Sequence, residues 1–139
     1  MIPEDLIERV EGGTGPEREL DARIMAAIEG RELRDGVNWQ NRPVLLGRAK
    51  TPPHDECVMY FFDLNEAPGH VPALTGSFDA AIALYKRRLP GWVWLKRAPG
   101  VFSVYQPSRD GPWARQFEGK SGSDNRALLA AILKAISSP

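Results

Sequence analysis

The stretch ARQFEGKS, residues 114 to 121, has a small residue separated by four positions from Gly-Lys-Ser, the loosest form of a loop whose backbone N–H groups cradle phosphate. Upstream, VMYFFD, residues 58 to 63, is an apolar run ending in Asp63, the kind of carboxylate that holds magnesium in a nucleotide-hydrolysing site. The surroundings argue against that chemistry. A phosphate loop follows a buried strand and opens a helix at its Lys-Ser, so that consecutive N–H groups and the helix dipole point at the anion. Here Arg115, Gln116, Phe117 and Glu118 are bulky and alternate as in a strand, a turn-forming SGSDN follows Lys120, and Asp63 precedes the loop instead of following it. EGKSGSDN reads as a solvated strand-to-helix loop, and no nucleotide cofactor is expected.

His54, Asp55, Glu56, Cys57 and His70 are the one cluster with metal-ligand chemistry. A catalytic zinc site takes two histidines and a carboxylate, usually with the histidines at a fixed helical or strand spacing. A proline-rich segment separates these two, so they read as surface histidines beside a structural thiol, with no metal expected. No Ser or Cys stands near a His in a spacing that activates a nucleophile, and no catalytic residue is assigned.

The sharpest remaining signal is a set of aromatic rings among positive charges. Trp92 and Trp94 share one face of a strand, Trp113 and Phe117 share one, Tyr105 is close, and Lys96, Arg97, Arg109, Arg115 and Lys120 are interleaved with them. Such surfaces stack nucleic-acid bases. The same rings at period two are also what a sheet needs to bury its helix-covered face, and three amphipathic helices need such a platform. The five cations are the candidate partner-binding residues.

The elements that must position them follow from periodicity. PEDLIERVEGG places Leu6, Ile7 and Val10 on one side of a short helix that two glycines end. Thr14 and Glu17 have the spacing of a capping box for a helix over 16–29, with Leu20, Ile24 and Ile28 on its apolar face and Gly30 closing it. Residues 31 to 76 hold five prolines and are expected to be mostly irregular, with PVLLG as a short apolar run and CVMYFFDL as an interior strand. Ser77 caps a helix over 78–89 whose face is Phe78, Ile82, Tyr85 and Leu89. WVWLK, VFSVYQ and WARQFE, joined by short turn sequences, form an antiparallel meander from Trp92 to Glu118. Ser123 or Asp124 caps a last helix over 125–137, with Leu128, Ile132 and Ile136 recurring and Leu129 and Leu133 alongside. All three main helices are expected to pack on the meander.

The totals bound the rest. A chain of 139 residues is one domain's worth, 1–139. One cysteine excludes an internal disulfide. No apolar run reaches the roughly 18 residues of a membrane span, and the opening MIPEDLIERV lacks the features of a secretory signal, so a cytoplasmic protein with no membrane partner is expected. Net charge is zero, but residues 1 to 83 carry 8 Lys+Arg against 15 Asp+Glu, and residues 84 to 139 carry 10 against 3. The two halves have opposite sign. They either neutralise each other as surface pairs or leave one charged face for a partner.

At TGPERELDARI, VPALTGSFDAAIALYKRRLPGW and RALLAAILKAI the sequence resembles the small tailed-phage and prophage proteins of the phage ABA sandwich family. Ser77, Asp79, Ala80 and Ala81 match its second helix motif, Leu74 stands where an aromatic is frequent, and residues 31 to 70 are the least family-like. The resemblance implies an α-β-α layered sandwich from a mobile element, an α/β (α+β) fold with a mainly antiparallel sheet, and brings no catalytic residues with it. The expected function is that of a non-enzymatic accessory protein, of the kind that binds a host protein and antagonises defence machinery. Nucleic-acid binding by the basic, aromatic C-terminal sheet is the alternative, and a small-ligand-binding protein or enzyme the third. The sequence leaves the oligomeric state open.

Overall fold

The computed structural model describes residues 2–37, 43–49, 57–60, 71–107 and 115–137. In chain order the elements are α1 (Glu4–Gly12), α2 (Arg18–Ile28), β1 (Arg31–Val37), β2 (Pro43–Ala49), β3 (Cys57–Tyr60), α3 (Phe78–Arg88), β4 (Val93–Ala98), β5 (Val101–Gln106), β6 (Arg115–Lys120) and α4 (Asp124–Ser137). The fold is mixed α+β, and its strands form two antiparallel sheets, β1-β2-β3 and β4-β5-β6. Where length alone suggests one domain, the chain gathers into two compact units, Glu17–Pro72 and Ile2–Pro16 with Ala73–Pro139. The first is thus inserted, in sequence, between two parts of the second. None of the described helices is long and apolar enough to cross a membrane.

In the inserted unit α2 packs on β1 and β2, its Ala22 and Ala26 lying with Val71, Met25 and Leu33 in a small apolar cluster. Asp21 is fully buried on this helix, and Arg18 neutralises it at 2.9 Å while also donating to the Val71 carbonyl. Several expectations change here. The capping box does not form: α2 begins at Arg18, with Glu17 extended at the N-cap and giving no capping bond. The Thr14 and Gly15 carbonyls accept from Arg126. The helix belongs to β1 and β2, not to the meander. Residues 31 to 60, expected to be irregular, contain a sheet in which Arg31 to Val37 pair in register with Ala49 to Pro43. Pro43 is tolerated because it is the first residue of its strand. Among the described residues β3 is an edge strand, not an interior one, and the end of that predicted strand, from Phe61 on, lies outside them.

The second unit is organised by α4. Ser123 caps it, its hydroxyl accepting from the Arg126 N–H at 3.2 Å. Residues Arg126 to Leu133 and Ala135 are all buried, so this helix is enclosed on every side over two turns, as an apolar helix must be. It lies across β5 and β6 and receives α1 and α3 on its other flanks. The approach to the sheet is set by Gly119. A Cβ there would collide with the Ala127 carbonyl and come within 2.6 Å of the Ala131 nitrogen and 3.0 Å of the Ala130 Cβ. Strand β6 accordingly runs on through Glu118, Gly119 and Lys120, and the predicted strand-to-helix loop shrinks to Ser121–Ser123. α1 is as expected, with Leu6, Ile7 and Val10 buried. In α3 the Ser77 cap is present, accepting from Ala80 N–H at 3.2 Å. Of the expected face Leu89 is buried, but within the helix the buried centre is Ala81 and Leu84, with Phe78, Ile82 and Tyr85 only half-buried.

Arg126 joins the ends of this unit. Its guanidinium, fully buried, donates to the carbonyls of Arg9 and Val10 in the last turn of α1 and of Thr14 and Gly15 just beyond, at 2.6 to 3.5 Å. The Arg9 carbonyl also accepts from the Gly13 N–H, and a cation at this end complements the negative end of the helix dipole. Lys134 adds an ion pair to Glu11 at 3.0 Å and a bond to the Glu118 carbonyl at 2.7 Å.

Two measurements check this packing. Ile132→Ala, at a fully buried position, is expected to lower the unfolding free energy by about 2–5 kcal/mol, and the half-buried Ile82→Ala by a fraction of that, as read from urea midpoints. Arg126→Lys is expected to cost about 2–4 kcal/mol despite keeping the charge, because one ammonium cannot span the carbonyls that the planar fork reaches.

Candidate functional site

The meander places its residues by strict alternation. β4 pairs with β5 so that Trp94 opposes Val104 and Leu95 opposes Ser103. β5 pairs with β6 so that Phe102 opposes Gly119 and Val104 opposes Phe117. One face therefore carries Trp94, Lys96, Phe102, Val104, Arg115, Phe117 and Gly119, and this is the face against α4. The opposite face carries Val93, Leu95, Ser103, Tyr105, Gln116, Glu118 and Lys120.

On the helix side the aromatic rings hold one another. Phe78 meets Trp94 edge-on at 5.7 Å and Phe102 at 5.9 Å, and Trp94 lies 5.9 Å from Phe102. Trp92 stacks on Phe117 at 6.2 Å, and the Arg115 guanidinium lies 5.4 Å over the Trp92 ring. Trp92 is buried. Its carbonyl accepts a bond from the Tyr85 hydroxyl, whose phenol is pushed above its ordinary value by burial and, secondarily, by Tyr105. The rings are thus a packed layer, and of the two β4-side tryptophans only Trp94 keeps appreciable exposure, 36%.

The cations singled out from the sequence do not form one patch. Lys96, on the helix side, pairs with Asp124 in the first turn of α4 at 2.8 Å. Arg115 is over Trp92 and also donates to Gln106 at 3.4 Å. Arg97 stands at an irregularity of register between Lys96 and Ala98 and donates across the other face to the Ser103 hydroxyl at 3.4 Å. Lys120, on that same face, is exposed and 3.5 Å from Glu118. Its strand is extended, and its N–H donates to Glu11 at 3.0 Å, so the residues before it do not converge on an anion. Arg109, Trp113, Asp63 and the predicted metal-type residues His54, Asp55, Glu56 and His70 lie outside the described residues. Among the described residues no group of three His, Cys, Asp or Glu side chains could hold a metal ion.

What sequence reasoning missed is the exposed edge. All six residues of β4 are exposed, and Val93 (37%), Trp94 (36%) and Leu95 (43%) are the exposed large apolar residues among those described. The sheet order leaves one side of β4 without a pairing strand among the described residues. The sequence signal was present in WVWLK as apolar residues at consecutive positions, which put apolar side chains on both faces of one strand. Compared with protein-family models, curated proteins and solved structures, the chain matches none.

Asp124 ties the site to the helix. Its carboxylate accepts from Lys96 and from the Gly100 N–H at 2.8 Å each, and these bonds, Lys96 first, hold it below the usual carboxylate range. A depressed carboxylate contributes stability above its unfolded-state pKa, and that contribution is lost as pH falls through the folded-state value. Asp124→Asn is therefore expected to flatten the fall in melting temperature below about pH 4 relative to the wild type, measured by thermal scans across the acid range.

Proposed function

We propose that this is a non-enzymatic protein-binding accessory factor whose contact surface is β4 and the outward face of the C-terminal sheet. The observation that carries the reading is the exposure of Val93, Trp94 and Leu95 on one strand, which has no further strand paired to its outer edge among the described residues. Contiguous apolar residues left at a surface mark interaction sites, and an uncovered strand edge offers backbone donors and acceptors for recognition. The resemblance of TGPERELDARI and the α3 segment to phage ABA sandwich proteins supports a phage or prophage origin. With it comes action in the cytoplasm of a bacterial host, on a host protein such as a component of defence. That part is an argument from the company such proteins keep.

Nucleic-acid binding stands second. Its platform would need rings and cations on one surface, whereas most rings are stacked on each other and Lys96 and Arg115 lie on the opposite face from Arg97 and Lys120. A ligand pocket or catalytic group has less support still, because the C-terminal sheet presents apolar surface and charges already engaged in pairs.

Affinity capture from lysates of infected and uninfected host cells tests the reading. The wild type is expected to recover a protein in stoichiometric amount, and Leu95→Asp to lose it by at least tenfold with an unchanged melting temperature. Recovery of no stoichiometric protein by the wild type, or equal recovery by Leu95→Asp, would overturn it.

A further inference from the structure

The free charge at the start of β4 is one-sided. Residues 84 to 107 include Lys86, Arg87, Arg88, Lys96 and Arg97 and no Asp or Glu. Lys86, Arg87 and Arg88 are exposed in the last turn of α3 and form no ion pair among the described residues. The bond from Tyr85 to the Trp92 carbonyl brings that turn to the beginning of β4. The exposed strand therefore starts beside three cations, continues through three apolar residues and ends in Lys96, paired with Asp124, and Arg97, whose one hydrogen bond among the described residues goes to the neutral Ser103 hydroxyl.

Resting on the protein-binding reading above, we propose that the outer edge of β4 takes an extended, acidic segment of the partner protein as an added strand. A strand edge presents N–H and C=O groups in alternation, a pattern that another polypeptide backbone matches and a phosphodiester chain does not. Val93 and Leu95 project to one face and Trp94 to the other, so the added strand gains apolar contacts on both sides of the sheet. The flanking cations select carboxylates. They also act against a second copy: antiparallel pairing of two β4 strands would set Lys96 and Arg97 of each beside the cations of the other, and like charges across a ladder destabilise it. The irregularity at Arg97 works in the same sense, limiting the pairable length to the apolar part and its immediate neighbours.

The probe is an octapeptide alternating Glu and Val, titrated into the 15N-labelled full chain at low salt, with three controls: the same peptide with Lys for Glu, the Glu-Val peptide N-methylated at alternate residues, and a single-stranded oligonucleotide. The Glu-Val peptide is expected to shift amide signals of Val93–Ala98 and the last turn of α3. Replacing Glu by Lys, N-methylating the peptide, or changing the protein by Leu95→Asp is each expected to weaken this at least tenfold, the last with an unchanged melting temperature. Raising salt to 0.5 M should also weaken it severalfold. No β4 shifts at millimolar peptide, equal affinity for the Lys peptide, or equal affinity for the N-methylated peptide would overturn the proposal. So would β4 shifts from the oligonucleotide alone, or concentration-dependent β4 shifts without peptide, which would identify nucleic acid or a second copy as the occupant. The two readings fail separately. Stoichiometric capture that depends on Leu95, with no response to the peptide, removes strand addition and leaves protein binding standing. Failure of capture removes protein binding itself.

Discussion

A single guanidinium holds the C-terminal unit together. Arg126 is fully buried, yet its donors go to backbone carbonyls from Arg9 to Gly15, and through them the first helix of the chain is fastened to the last. Burying a cation is unfavourable unless its hydrogen bonds are met. Here they are met by backbone carbonyls at the end of α1 and in the turn that follows it. The Lys134–Glu11 pair and the Ile2 N–H bond to the Ser137 hydroxyl lie along the same seam. With α1 fixed there, α4 is enclosed by α1, α3 and the sheet, and can be apolar around its whole circumference.

The arrangement of the sheet follows from that helix. Because α4 comes close enough to Gly119 to exclude any side chain, β6 is held beneath it, and the inner face closes over Phe102, Val104 and the aromatic layer. β4 is at the far edge of this packing. Among the described residues Phe78 packs on Trp94 and Asp124 pairs with Lys96, while Val93, Trp94 and Leu95 each keep more than a third of their surface exposed. The functional reading is therefore a consequence of coverage: α4 packs on β5 and β6, and β4 at the edge keeps Val93, Trp94 and Leu95 partly exposed.

Much of this was legible in the residues. The helices α1, α3 and α4 and the meander announce themselves through four-residue recurrence, Ser77 and Ser123 caps, and short turns between apolar runs, because each is specified by neighbours in sequence. β1 was not legible: RELRDGV has no apolar alternation, and its strand conformation comes from pairing with β2. The Thr14–Glu17 spacing matched a capping box, but α2 begins at Arg18, so that Glu17 stands at its N-cap instead of in its first turn. Of the site, the cations were found and their separation onto two faces was not, since the register between β4, β5 and β6 decides it. The one hint of Arg126 was a charged residue inside the apolar run NRALLAAIL, where a solvated position would be out of phase with its neighbours.

The contacts of Arg126 span 111 to 117 residues of chain. During synthesis α1 emerges early and has nothing to dock on until α4 has left the ribosome, with the whole of Glu17–Pro72 made in between. Closing so long a loop is slow. Until it closes, Leu6, Ile7 and Val10 on the newborn helix and the flank of α4 that receives them are exposed to solvent. The interval before closure is when this chain is most open to chaperones, to proteases and to self-association. The speed with which α1 and α4 meet therefore bears on how much of the chain escapes these fates.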